Sequence, residues 1–228
     1  MNKRLWALAV LAIVIGGIIL WSTVQVKNNT THMFRANVSE ANSNGITEAF
    51  NSPATNLRLT LNNLLREHTT TGGALLIALF DGADTTRAEQ LLNDNENELA
   101  SVIQSVYGTT AHDTFVQLWT QHMQEYENYT IARKNNDTAK MNQAKQNLQT
   151  IATKMGDLFG GVSKNLSSST VSNMMTQHIT DTLALVDAAA QGNSTQVANM
   201  AKAGYDQAGQ FADTLARGMI LDKPNMFQ

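Results

Sequence analysis

From Pro53 to Leu215 the apolar residues recur in steps of three and four, which is the period of a helix with one buried face. Leu57, Leu61, Leu64, His68, Gly72, Leu75 and Leu79 fall on one such stripe and predict a helix from about Pro53 to Phe80. Asp81-Gly82 then turns the chain. Leu91, Leu92, Asn95, Leu99, Val102, Ile103 and Val106 predict a second helix, about Thr85 to Tyr107, closed by Gly108. Phe115, Trp119, His122, Tyr126 and Tyr129 mark a third, and Met141, Ala144, Leu148, Ile151, Met155, Leu158 and Phe159 a fourth, with Asn135-Asn136-Asp137 between them. After Gly160-Gly161, Val171, Met174, His178, Thr182, Leu185 and Ala189 predict the fifth. Beyond Gln191-Gly192-Asn193, the sixth carries Val197, Ala201, Gly204, Tyr205, Ala208, Phe211, Ala212 and Leu215. No alternating β-branched run suggests a strand, and the two prolines, Pro53 and Pro224, bracket the periodic region.

The pattern is also an internal repeat. Leu64-Leu65-Arg66-Glu67-His68, Leu118-Trp119-Thr120-Gln121-His122 and Met174-Met175-Thr176-Gln177-His178 occupy equivalent places, with the histidines 54 and 56 residues apart. Fourteen residues after each histidine stands a turn residue: Gly82, Asn136 and Gly192. Short turns make sequential helices antiparallel neighbours. The expected fold is therefore all-α, a helical bundle of three antiparallel αα-hairpins at 53–108, 109–161 and 166–218 within a domain of 53–223, followed by a tail, 224–228. In such a bundle the three histidines share one height. The competing packing is a superhelical stack, in which they would line a row.

The N-terminus adds a second feature. Asn2-Lys3-Arg4 precedes an apolar run from Leu5 to Trp21, extendable through Val26 and bracketed by Trp6 and Trp21. This predicts a transmembrane helix and membrane anchor within residues 1–26, with the basic end in the cytoplasm and the remaining chain outside, in a single-pass arrangement. A cleaved signal peptide shares the charged start and apolar core, but no small-x-small cleavage site closes this run. Residues 27–52 are rich in Asn, Thr and Ser and are expected to form a polar stalk. Setting aside Lys3 and Arg4 leaves 14 basic against 19 acidic residues, a balance that argues against nucleic acid as a partner. With no cysteine there are no disulfides, and stability must come from the core.

Candidate chemistry is sparse. There is no phosphate-binding glycine loop, serine elbow or cysteine nucleophile, so an enzyme is not expected. Asp94, Glu96 and Glu98 read as a solvated face, His112 as a surface residue and His32 as part of the stalk. The repeat histidines differ because they lie on apolar stripes. A buried polar group without a partner costs about 1–3 kcal/mol, so three at one position suggest a use. Imidazole suits copper and zinc, which makes His68, His122 and His178 candidate metal ligands. Asn95, Tyr126 and Tyr205 are candidate residues supporting that layer. The alternatives are three hydrogen-bonded core histidines or a pH-dependent packing switch. Small residues in Thr69-Thr70-Thr71-Gly72-Gly73 permit close helix approach or leave room for a ligand.

Leu65-Arg66-Glu67-His68, Phe80-Asp81-Gly82, Ser105-Val106-Tyr107-Gly108, Phe115 to Trp119, and His178 through Asp187-Ala188 resemble a helical domain of uncharacterised exported proteins of Gram-positive bacteria. The resemblance covers about residues 55 to 217. Some of those proteins carry a separate region similar to the N-terminal domain of copper amine oxidases, which this chain lacks. The resemblance implies an extracytoplasmic helical bundle and an association with copper, and it supplies no catalytic residues. Two functions are expected from these features: a membrane-anchored module that binds a metal or small ligand through the repeat histidines, or a cell-surface structural or interaction domain in which they belong to the core. No protein partner is indicated.

Overall fold

The ends of the helices are written into the sequence. Ser52 accepts a hydrogen bond from the Thr55 amide, with Pro53 at the first helical position, and opens α1, Pro53–Asp81. Helices α2, Thr86–Tyr107, and α3, Thr109–Lys134, follow, separated by Gly108 at φ 86°. Asp137, Ser167 and Asn193 cap α4, Thr138–Val162, α5, Ser168–Ala190, and α6, Ser194–Asp222, each by accepting an amide hydrogen bond three residues on. A 3-10 turn, Pro224–Met226, follows α6. The computed structural model describes residues 50–228. The expected membrane helix, and the stalk up to residue 49, lie outside the described residues. Among the described residues there is no strand, and no helix is long and apolar enough to cross a membrane.

The repeat reaches the backbone. Gly82, Asn136 and Gly192, each fourteen residues after its histidine, all adopt the left-handed conformation, with φ of 73°, 55° and 68°. The amides that follow them, of Ala83, Asp137 and Asn193, donate to the carbonyls of Ala78, Ala132 and Ala188 at 2.9, 2.9 and 3.0 Å. This is the same six-residue helix termination used three times, satisfying carbonyls that the helix end would leave unpaired.

Helices α1, α3 and α5 touch one another and form an inner triangle. Helix α2 packs between α1 and α3, α4 between α3 and α5, and α6 between α5 and α1. Helix α1 thus meets α6, and the bundle closes on itself instead of extending as a superhelical stack. The core is one cluster running through all six helices, from Leu61 and Leu75 to Leu148, Val171, Ala212 and Met219. Inner helices bury two adjacent faces, which is why Leu64 and Leu65, and Leu75 and Leu76, are buried in pairs. Where helices approach most closely the chain uses glycine: a side chain at Gly156 or Gly160 would run into Ser168 and the backbone at the start of α5.

Candidate metal centre

Each histidine-bearing helix belongs to the inner triangle, and each histidine falls on the side turned toward the other two. His68 comes from α1, His122 from α3 and His178 from α5, and all three are buried, at 3%, 0% and 6% exposure. Their ring centroids are 5.3 Å apart for His68–His122, 5.9 Å for His68–His178 and 6.3 Å for His122–His178. One ligating nitrogen from each lies within 4.8 Å of the others. Nε2 of His122 is 3.3 Å from Nε2 of His68. The three ligand candidates named from the sequence are therefore brought together at one level.

A metal held at about 2.0–2.1 Å by two imidazole nitrogens in tetrahedral geometry sets those nitrogens roughly 3.3–3.4 Å apart. The His68–His122 pair already has that spacing. The donor chemistry agrees. The Nδ1–H of His122 donates to the Trp119 carbonyl, which leaves Nε2 with its lone pair free to ligate. Burial lowers all three histidines from their usual range, His68 well below it. His122 is brought down to about 3, the neighbouring His178 adding to the effect, and His178 to about 4. All three are neutral near pH 7, the form that binds metal. The packing does not satisfy every atom of the rings: Nδ1 of His68 is buried without a hydrogen-bond partner.

The surroundings are asymmetric along the bundle. Three residues before the histidines stand Leu65, Trp119 and Met175, all buried. The Trp119 ring lies 4.5 Å from that of His68 and 4.6 Å from that of His122, backed by Phe115 at 4.9 Å, so this side is apolar and filled. Four residues after the histidines stand Gly72, Tyr126 and Thr182. The Tyr126 ring meets those of His122 and His178 edge-on, at 5.5 and 5.9 Å. Its hydroxyl is buried beside the Thr182 side chain and makes no hydrogen bond of good geometry. Burial pushes this phenol far above its ordinary range, so it remains a proton donor.

Of the supporting residues expected from the sequence, Tyr126 is in the layer, while Asn95 and Tyr205 are engaged one turn away. Asn95 Nδ2 donates to the Leu64 carbonyl at 2.9 Å and lies 3.4 Å from Glu67 Oε2. Tyr205 stacks under the Arg66 guanidinium, 4.5 Å from ring centroid to Cζ, and its hydroxyl accepts from Arg66 at 3.4 Å. Both belong to outer helices, α2 and α6, which face residues 64–67 of α1 rather than His68. His112 pairs with Asp113 at the exposed start of α3. Glu96 is less free than a solvated face suggests, since it accepts from Thr120 at 2.7 Å. Trp119 is a wall of the site that was not among the residues expected there. Its signal was its place in the repeated pentad, three residues before His122, which puts it on the same helix face.

Comparison with protein-family models, with curated proteins and with solved structures finds no match to this chain.

Proposed function

We propose that the bundle is a metal-binding module in which His68, His122 and His178 hold a copper or zinc ion. The observation that carries this reading is the convergence of one buried imidazole from each repeat, with ligating nitrogens within 4.8 Å of one another. A core role asks that buried polar atoms be paired, and His68 Nδ1 is not. Neutral imidazoles with a fixed tautomer at His122 are prepared for a borderline cation, and no thiolate competes.

We read the six helices as three antiparallel hairpins set around the inner triangle. The pairings Glu67–Asn95, Glu125–Asn147 and Met174–Gln207 support this reading, since each joins the two helices of one hairpin about the turn between them. The apolar run within residues 5–26 makes this a module anchored in the cell membrane and carried outside the cytoplasm on a polar stalk. The resemblance to helical domains of exported Gram-positive proteins belongs to the same proposal and inclines the choice of metal toward copper.

The test is direct. Full-length protein, stripped with chelator and titrated with copper(II) or zinc near pH 7, should bind one equivalent, and His68→Ala, His122→Ala and His178→Ala should each lose that binding. Binding of neither metal to folded wild-type protein returns the three histidines to the core.

A further inference from the structure

The two sides of the histidine layer are built differently, and this bears on what the metal would do. Toward Leu65, Trp119 and Met175 the space is filled by buried apolar side chains, with the Trp119 ring against two of the imidazoles. One helical turn to the other side, the repeat places Gly72, Tyr126 and Thr182. Gly72 is buried, yet a methyl group built on it would meet no atom within 4 Å, its own helix backbone aside. A buried glycine with open space before it is unusual in a close-packed interior. The next residue does not share this freedom, because Gly73 faces Leu185 at 3.6 Å. The space therefore opens on the same face as His68, one turn along. Tyr126, 2% exposed, brings a hydroxyl to this side of the layer that lies beside Thr182 but makes no hydrogen bond of good geometry. One helical turn beyond the three imidazoles the repeat thus sets both a buried hydroxyl that makes no good hydrogen bond and open space in front of a buried glycine.

Resting on the metal-binding reading above, we infer that the centre keeps an open coordination position on its Tyr126 side, where a small anionic ligand binds the metal and accepts a hydrogen bond from the Tyr126 hydroxyl in the space left by Gly72. Three protein ligands leave such a position on a four-coordinate ion. Among the described residues, the cluster that could hold a metal contains the three histidines and no carboxylate to fill it. The ligand class follows from the surroundings. The hydroxyl groups of Tyr126 and Thr182 on this side are neutral and the three protein ligands are uncharged imidazoles, so a monovalent anion suits the dipositive ion.

The experiment uses full-length protein loaded with copper(II) and titrated with azide, followed by the azide-to-copper charge-transfer absorption. Wild type should give saturable binding. Tyr126→Phe should keep its copper and weaken azide binding roughly tenfold, the effect of losing one buried hydrogen bond. Gly72→Ala should keep its copper and weaken azide binding at least as much, by occupying the space. Its added methyl meets no neighbour, so this variant carries the test even if Tyr126→Phe folds poorly. Copper-loaded wild type that gives no response to azide overturns the open position and leaves the metal site standing. Equal azide affinity in all three proteins overturns the assignment of Tyr126 and Gly72. Wild type that takes up no copper overturns the metal reading and this inference with it.

Discussion

Nε2 of His122 faces Nε2 of His68 at 3.3 Å, and the other nitrogen of His122 is already committed to the Trp119 carbonyl. A hydrogen fixed on Nδ1 of His122 makes its Nε2 an acceptor only. Without metal, His68 can donate its Nε2–H to it, at the cost of an Nδ1 with no partner. With metal, both Nε2 atoms become ligands. Nitrogen NMR of selectively labelled histidine should therefore report the Nδ1–H tautomer for His122 with and without zinc, and a change at His68 Nε2 from protonated to ligated on adding zinc. An Nε2–H tautomer at His122 would remove the geometric basis of the site.

The buried imidazoles also set an acid limit on the fold. Their folded pKa values, about 3 for His122, about 4 for His178 and well depressed for His68, lie below the unfolded value of about 6.5. Above pH ~6.5 both states are neutral and these groups give no slope. Below it the unfolded chain takes up protons that the folded core refuses, so stability falls as pH falls, until the folded values are reached. Each histidine removes up to about 1.4 kcal/mol per pH unit over that window. Acting together they would remove a large share of a typical 5–15 kcal/mol of stability between pH ~6.5 and 4. Metal-free protein should show a melting temperature that drops steeply between about pH 6.5 and 4, and His178→Asn should flatten the slope. A melting temperature constant from pH 7 to 5 would contradict the burial of neutral imidazoles.

The three repeated turns make a separate stability prediction. Gly82 and Gly192 hold φ of 73° and 68°, where a Cβ is strained, so Gly82→Ala and Gly192→Ala should each cost about 1–2 kcal/mol by denaturant titration. Asn136 does the same work at φ 55° with a side chain that tolerates it. Asn136→Gly should then change stability by less than about 0.5 kcal/mol, while Asn136→Ala loses about 1 kcal/mol. Equal effects of alanine and glycine at Asn136 would contradict its left-handed role.

Much of this architecture was legible because the chain says it three times. The pentads ending in histidine located one face of α1, α3 and α5, and Gly82, Asn136 and Gly192 located their ends. The histidine layer at one height followed from equal spacing between histidine and turn. Less legible was the width of the buried surface. A single stripe through Leu64, His68, Gly72 and Leu75 omits Leu65 and Leu76, which are buried because an inner helix meets neighbours on several sides. Periodicity describes one face and does not count partners. Supporting residues on outer helices were also beyond reach. Asn95 and Tyr205 match each other in the repeat, but crossing geometry sets them against Leu64 and Arg66 instead of His68. Tyr126 lies against the histidine layer because it shares a helix with His122, one turn on. The significance of Gly72 needed the structure, since only the packing distinguishes a glycine that admits a neighbouring helix from one that faces open space.

Metal binding and core packing make different predictions for thermal stability, and the difference separates the two readings. A ligand that binds only the folded state stabilises it by RT ln(1 + [L]/Kd), about 2.7 kcal/mol when free metal is 100 times Kd. For a domain of this size that is a rise in melting temperature of roughly 5–11 °C. Wild type should show this rise on adding copper or zinc near pH 7. His68→Ala, His122→Ala and His178→Ala should each lower the metal-free melting temperature, because a buried ring is removed, and should also abolish the rise on adding metal. His112→Ala, at the exposed end of α3, should keep both the stability and the rise, and His32→Ala, far from the repeats in sequence, should do likewise. If the histidines serve packing alone, the three alanine variants still melt early, but wild type gains nothing from metal. The decisive quantity is therefore the metal-dependent increment, measured at matched free-metal concentration across all five variants, and not the loss of stability that both readings share.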